Sequence, residues 1–263
     1  MKHINLLFGS ILFLLISVVP LASVAAVAEK AEAVASVSLI QGDVHAISPD
    51  GDKRQLTQGA PVYAGERVKT GEGGAVVLVF LDGTVWELLD DHSEFKISSY
   101  QFSVTPSSAG KDRAKYEVVA GPLRYSSGEM GERGEGNITI DFQGQELIPL
   151  GTKIMFTLNE SGQLAMIVLE GAVQIGRNTV SQGTRRSAVQ IIGQGQAVLI
   201  GTTGGAAPIS IAQISQILGP RAAAAIANLI EQGEGASGVL NIRDNLRIRI
   251  PPQATSPSSP NTR

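Results

Sequence analysis

The sequence predicts a mainly β protein, a β-sandwich or layered β-roll with a short C-terminal α-hairpin, and three observations predict it. Short runs of β-branched residues alternate with Gly, Asp and Pro from Ala33 onward. A pattern of the form apolar-x-Gly-x-apolar recurs at residues 40–44, 119–123 and 169–173. Beyond the leader, helical spacing is confined to one stretch that follows Pro208.

The chain opens with Lys2, an apolar stretch from Ile4 to Val19, then Pro20 and small residues ending in Ala26-Val27-Ala28. A positive start, an apolar run and an A-x-A site are the parts of a secretory signal. Residues 1–28 therefore read as a signal peptide cleaved before Glu29, with Ser23-Val24-Ala25 as a second possible site. The competing reading is a retained anchor, because residues 4–28 are just long enough to cross a hydrocarbon layer ~30 Å thick. With cleavage, residues 29–263 are periplasmic or secreted. Cysteine is absent, which excludes a disulfide framework, a thiolate zinc site and a cysteine nucleophile, and fits a bacterial envelope protein.

Residues 29–201 form the expected β region. Residues 36–47 read as strand, Gln41-Gly42-Asp43 turn, strand, and Pro49-Asp50-Gly51 presets the next reversal. The apolar run from Ala75 to Leu81 is too short to span a membrane and β-branched enough for a central strand covered on both faces. Asp82-Gly83 follows and Thr84-Val85-Trp86-Glu87-Leu88 resumes the pattern, which predicts a hairpin with a two-residue turn. Trp86 then points to the core or to a groove beside it. Residues 116–125 read as a second hairpin about Ala120-Gly121-Pro122, and residues 138–148, 153–158, 163–175 and 190–200 complete the β series. The glycine-rich stretch 126–137 lacks the ending of a phosphate-binding loop and reads as a flexible connection. In the recurring pattern, each glycine is expected in a tight turn or bulge at a backbone angle other residues avoid. A second echo pairs residues 57–62 with 193–198, and two related β lobes or one long layered structure would account for both.

Residues 202–250 change character. Ile211, Ile214 and Leu218 fall near one face of a short helix, Gly219-Pro220 breaks it, and residues 222–231 form a second. The pair reads as a cap over the β core or as a docking element. Residues 239–250 return to strand alternation, with Arg243, Arg247 and Arg249 among Leu and Ile, and the tail 251–263 is too polar and proline-rich to fold.

Composition narrows the chemistry. A net charge of −3 with both signs interspersed leaves no basic field for a phosphate backbone, and aromatics at 5 % leave few stacking platforms, so nucleic acid is not an expected partner. His45 and His92 are the histidines outside the leader, too few for a site of several imidazoles within one chain. Asp90, Asp91, His92 and Ser93 include the residue types of a hydrolase triad, yet adjacent side chains in a turn diverge, and Asp90 and Asp91 fail as a convergent pair for the same reason. No catalytic, cofactor-binding or metal-ligating residue is assigned, and no cofactor is expected.

Residues 36–97 carry a specific pattern: Gly42-x-Val44; Gly59 and Val62; Gly65-Glu66-Arg67-Val68-Lys69-Thr70-Gly71 and Gly74; Phe80-Leu81-Asp82-Gly83-Thr84; Leu88 and Ser93. This resembles the FecR domain of bacterial envelope regulators, with Glu66 where Asp is commoner. Gly121-x-Leu123-Arg124, Gly151-Thr152 and Glu170-Gly171-x-Val173 look like the weaker second part that follows in such proteins. The resemblance implies an all-β periplasmic domain that, in iron-transport regulators, relays the state of an outer-membrane transporter to a sigma factor. In those regulators a cytoplasmic segment handles the sigma factor; here only Met1 to His3 precede the apolar stretch, so a binding module without that relay is expected.

The expected function is an exported, non-enzymatic FecR-like module that binds another envelope protein through exposed β edges or the loops around Asp82-Gly83-Thr84, with Asp82 and the glycines as fold-makers. The alternatives are a structural or surface-polymer-binding envelope protein, and a hydrolase whose carboxylates the fold brings together.

Overall fold

The structure, a computed structural model, describes residues 32–104, 110–159, 161–177, 180–181, 184–185, 189–201, 205–210, 212–214 and 216–217. The expected signal peptide, most of the helical hairpin, the 239–250 strand and the tail lie outside the described residues.

The chain runs through β1 (Ala33–Gln41), β2 (Val44–Ile47), β3 (Lys53–Gln55), β4 (Pro61–Tyr63), β5 (Arg67–Thr70), β6 (Ala75–Phe80), β7 (Val85–Leu88), β8 (Glu94–Gln101), β9 (Arg113–Ala120) and β10 (Leu123–Ser126). A single helical turn, α1 (Glu129–Arg133), precedes β11 (Ile138–Phe142), β12 (Gln145–Leu158) and β13 (Leu164–Arg177). A small hairpin of β14 (Val180–Ser181) and β15 (Thr184–Arg185) leads to β16 (Gln190–Gly193), β17 (Ala197–Ile200) and β18 (Ala206–Ile209).

The protein is mainly β, as its strand periodicity predicts. One sheet, in the order β3-β2-β5-β8-β9-β11-β12-β10-β7-β6-β1-β4, curls strongly into a half-barrel, and β13, β16, β17 and β18 extend it from β12. In place of the two layers expected of a sandwich, a single sheet bends over the main core. Among the described residues its pairings are antiparallel except that of β9 with β11.

Two of the recurring glycines explain how short strands build so long a sheet. The expected turn at Gly42 and the expected hairpin about Gly121 are both corners between arms of the sheet. β1 pairs with β4 and β6 while β2 pairs with β3 and β5, so Gly42 carries the chain from one arm of the sheet to the other. Gly121 does the same between β9 and β10. Both have positive φ, +63° and +76°, and a Cβ on either would overlap backbone, the Gly73 carbonyl in one case and Ser93 in the other. A hairpin pattern and a corner pattern look alike in sequence, because each needs only a reversal of direction.

The third recurrence, at Gly171, is a bulge inside β13. It faces a matching irregularity at Gly151-Thr152 in β12, and there the pairing register shifts. Before the bulge β12 buries Leu147 against Ile175; beyond it Ile154 and Phe156 are buried against Val168 and Met166, so inward positions change from odd to even in both strands. One strand slipping alone would turn half its apolar residues to solvent. The paired bulges let β12 serve β11 with its first half and β10 with its second.

The core is aromatic at its centre. Trp86 is fully buried, stacked on Phe95 at 4.7 Å between ring centroids and flanked by Tyr125 at 5.2 Å and Tyr116 at 5.3 Å. It is a core residue, not the wall of a groove. Such rings combine large apolar area with the offset and edge contacts that favour one packing arrangement.

Candidate interaction surfaces

The Asp82-Gly83-Thr84 turn closes the β6–β7 hairpin through Phe80 N–H to Thr84 O, 2.9 Å, so the loop has three residues with Gly83 at φ +80° rather than the two expected. Asp82 is buried and its carboxylate is fully engaged. It accepts from Thr84 Oγ1 at 2.7 Å, Thr84 N at 3.2 Å and Tyr100 OH at 3.0 Å, with Met130 N at 3.4 Å. The segment expected as a flexible connection is what seals it. Gly128 N donates to Thr84 Oγ1 at 3.2 Å, and a Cβ on Gly128 would overlap the turn backbone. Met130 of α1 is fully buried in the core, and Arg133 pairs with the buried Asp112 at 2.9 Å. The turn is a fold-maker, and its polar groups face inward.

The four residues drawn as a triad form a second structural turn. Ser93 is buried and its hydroxyl donates to Pro122 O at 3.1 Å, Thr70 Oγ1 donates to Asp90 O at 2.7 Å, and Gly74 N donates to Asp91 Oδ1 at 3.2 Å. His92 has φ +61°, and His45 Nδ1 lies 3.1 Å from Asp43. Among the described residues no group of three or more His, Cys, Asp or Glu is placed to hold a metal. A 570 Å³ groove lies over Pro49, Arg67, Lys96 and Glu117, and its charges are paired, Lys96 with Glu117 at 4.0 Å within it and Arg67 with Glu94 outside its lining at 3.3 Å.

The outer face of the sheet carries its own buried patch. Glu87 and Arg124 face each other across β7 and β10, with Arg124 Nε donating to Glu87 Oε1 at 2.9 Å, and both are buried. Burial pushes the Glu87 carboxyl up, against the opposing pull of Arg124. In the next strands of the same row, Met155, Ile167 and Ala197 join Ala165 and Ile214 in a second apolar cluster. Ser210 begins the segment over it: Gln213 N donates to Ser210 Oγ at 3.2 Å and Ser210 N to Gln213 Oε1 at 2.8 Å, a reciprocal capping pair. Ile214 in this segment is fully buried against that cluster, and most of the expected helical hairpin lies outside the described residues.

What remains are the sheet edges. Strand edges present unpaired backbone groups, and proteins blunt them with charge, proline or cover. β3 carries Lys53 and Arg54, β4 begins with Pro61, and β18 contains Pro208. β16, Gln190-Ile191-Ile192-Gly193, has neither device, and among the described residues it pairs only with β13. Val189 and Ile191 beside that edge are 51 % and 62 % exposed. Sequence reasoning read 190–200 as one strand and so missed this edge. The signal was Gly195, at φ +75°, in the turn that divides β16 from β17.

No family model matches the sequence, and no curated protein matches it. Two crystal structures, at 1.65 and 2.50 Å, of a "putative anti-sigma factor" from Parabacteroides distasonis are distantly similar in structure, at 15 % identity and a TM-score of 0.39. The match covers 55 % of this chain and spans 59 % of that one. A "cell surface anchoring domain" is 33 % identical over 24 % of this chain and 82 % of its own, with a TM-score of 0.23.

Proposed function

We propose that the chain is an exported, FecR-like, non-enzymatic module of the bacterial envelope that binds a protein partner by accepting an extended segment at the β16 edge. The observation that carries this reading is the contrast among edges: of the four sheet edges among the described residues, β16 alone lacks charge and proline, and it has exposed apolar side chains beside it. Strand addition draws affinity from main-chain hydrogen bonds and specificity from alternate side chains, which is what such an edge offers. The loops about Asp82 contribute less, because their polar groups are consumed by the fold. The leader supports a periplasmic address.

The test is affinity capture from envelope extract with mature chain 29–263, against a V189K/I191K variant checked for unchanged thermal unfolding. The expected result is a protein recovered by wild type and lost by the variant, with slowed amide exchange at residues 190–193 in the complex. Equal recovery by both, or recovery of wall polymer alone, overturns the proposal.

A further inference from the structure

We infer that the outer face of the sheet from β3 to β12 docks a second copy of this chain, through a row of charges sorted by sign. This surface is not the β16 edge: β11, β12 and β13 separate its centre from that strand.

The pairing register lines up one residue from each of seven neighbouring strands. Lys53, Ile47, Arg67 and Lys96 come from β3, β2, β5 and β8, and Glu117, Asp141 and Glu146 follow from β9, β11 and β12. The row faces away from the core, because the residues that flank it, among them Ala46, Val68, Phe95, Tyr116, Ile140 and Leu147, are buried there. Neighbouring strands lie ~4.8 Å apart, so the row runs ~29 Å across the face, positive at one end and negative at the other.

The fold alone gives no reason for this sorting. Arg67 stands directly opposite Lys96, Glu117 opposite Asp141, and Asp141 opposite Glu146. Like charges directly opposite across strands are destabilising, and alternating signs would keep the face soluble equally well. Residues beside the row offset only part of the repulsion. Glu94 serves both Arg67 at 3.3 Å and Lys69 at 3.1 Å, which leaves the β5–β8 side positive. Lys115, 3.7 Å from Asp141, stands among three carboxylates and leaves the β9–β12 side negative. Lys96 and Glu117, at the centre, are only 4.0 Å apart at their nearest, with side chains 40 % and 42 % exposed. Such a pair contributes little to the fold and keeps both charges open to an outside partner.

A row positive at one end and negative at the other is complementary to itself reversed. A two-fold axis along the strands, between β8 and β9, sets Lys96 against the partner's Glu117 and Arg67 against the partner's Asp141, each contact being made twice. An unrelated protein would have to present acid and base in this order and at strand spacing; a copy of this chain does so by construction. Because the sheet curls over its core, the outer face is convex, and contact is confined to the central strands. Paired charges rather than buried apolar area then set the strength of the dimer, which makes it sensitive to salt.

The test is sedimentation of the mature chain 29–263 at protein concentrations up to ~1 mM. A reversible dimer is expected in ~0.01 M salt and should dissociate towards ~1 M, as the screening length falls from ~30 Å to ~3 Å. K96E and E117K, each checked for unchanged thermal unfolding, place like charges across the two-fold axis twice and should each weaken the dimer at least ~tenfold. Mixed in equal amounts, the two variants set opposite charges at both central contacts again and should form a heterodimer, which a variant that had merely lost its fold could not do. A monomer at every concentration in low salt, a dimer that both variants leave intact, or variants that stay monomeric when mixed overturns the inference. So does a dimer abolished by V189K/I191K alone, which assigns self-association to the β16 edge.

Discussion

Arg54 of β3 and Glu66, just ahead of β5, tie together the two ends of the curled sheet. Arg54 Nη2 lies 2.8 Å from Glu66 Oε2, Arg54 Nε lies 3.1 Å from Oε1, and the same guanidinium donates to Pro61 O of β4 at 2.7 Å. Glu66 Oε2 also accepts from Tyr63 N at 2.9 Å. β3 and β4 are the terminal strands of the twelve-strand path, so one arginine closes the seam that backbone pairing leaves open.

Shortening Glu66 by one methylene tests that closure. Glu66→Asp cannot hold both the guanidinium fork and the Tyr63 amide, and Arg54→Ala leaves a buried carboxylate with one donor. Each should lower stability by ~1–3 kcal/mol in urea unfolding. Unchanged midpoints in both would show that the seam is held elsewhere.

The outer-face pair Glu87–Arg124 should behave as a buried ion pair. Glu87→Leu strands the Arg124 charge and is expected to cost ~3–5 kcal/mol, whereas the double variant E87L/R124M should recover most of it. The pH dependence has a definite sign. With the folded carboxyl raised above its ordinary 4.5, the unfolded chain releases this proton first as pH rises. Wild type should therefore lose stability relative to the double variant from pH 4.5 up to the raised value and stay level above it. A difference that grows in the opposite direction would contradict the burial argument.

Gly171 and Gly195 share φ +75°, but a Cβ on Gly171 would overlap the Gly151 and Leu150 carbonyls while one on Gly195 meets nothing within 4 Å. Gly195→Ala should cost only the backbone term, ~1 kcal/mol. Gly171→Ala adds the clash and should cost at least ~2 kcal/mol more, or abolish cooperative unfolding, if the paired bulges set the fold. Equal costs would show that the strands relax around the added methyl group.

Tyr100, Tyr116 and Tyr125 are three of the four tyrosines, and burial is the main cause that raises each phenol, with Asp82 adding to it. A raised folded value means the folded state holds these protons after the unfolded chain, with values near 10, has lost them. Stability is thus full below pH ~10 and falls as pH rises beyond it. Phenolate absorbance from these three should grow in step with loss of the strand circular dichroism signal. Their ionisation before any unfolding would contradict the buried placement.

Much of the strand content was legible because period-two alternation and turn residues are local. Trp86 in the core, the bend at Pro49-Asp50-Gly51 and the positive φ of Gly42, Gly121 and Gly171 all follow from neighbours in sequence. Alternation tells which face a residue takes but not which strand lies beside it. Gly42 therefore reads as a simple turn and Gly121 as a hairpin when both are corners, and residues 126–137 read as a loose link although Met130 is buried and Gly128 seals the Asp82 turn.

The candidate site was less legible still. The sequence by itself determined that this is a cysteine-free, strand-rich chain with glycines at its reversals, because these follow from residue type and spacing. Only the tertiary structure decided that Asp82 is spent on the fold, that Arg54 closes the seam, and that among the described residues β16 lies at an unblunted margin. An edge is a property of who pairs with whom across many residues, and the closure of a curled sheet settles that pairing, not any single strand.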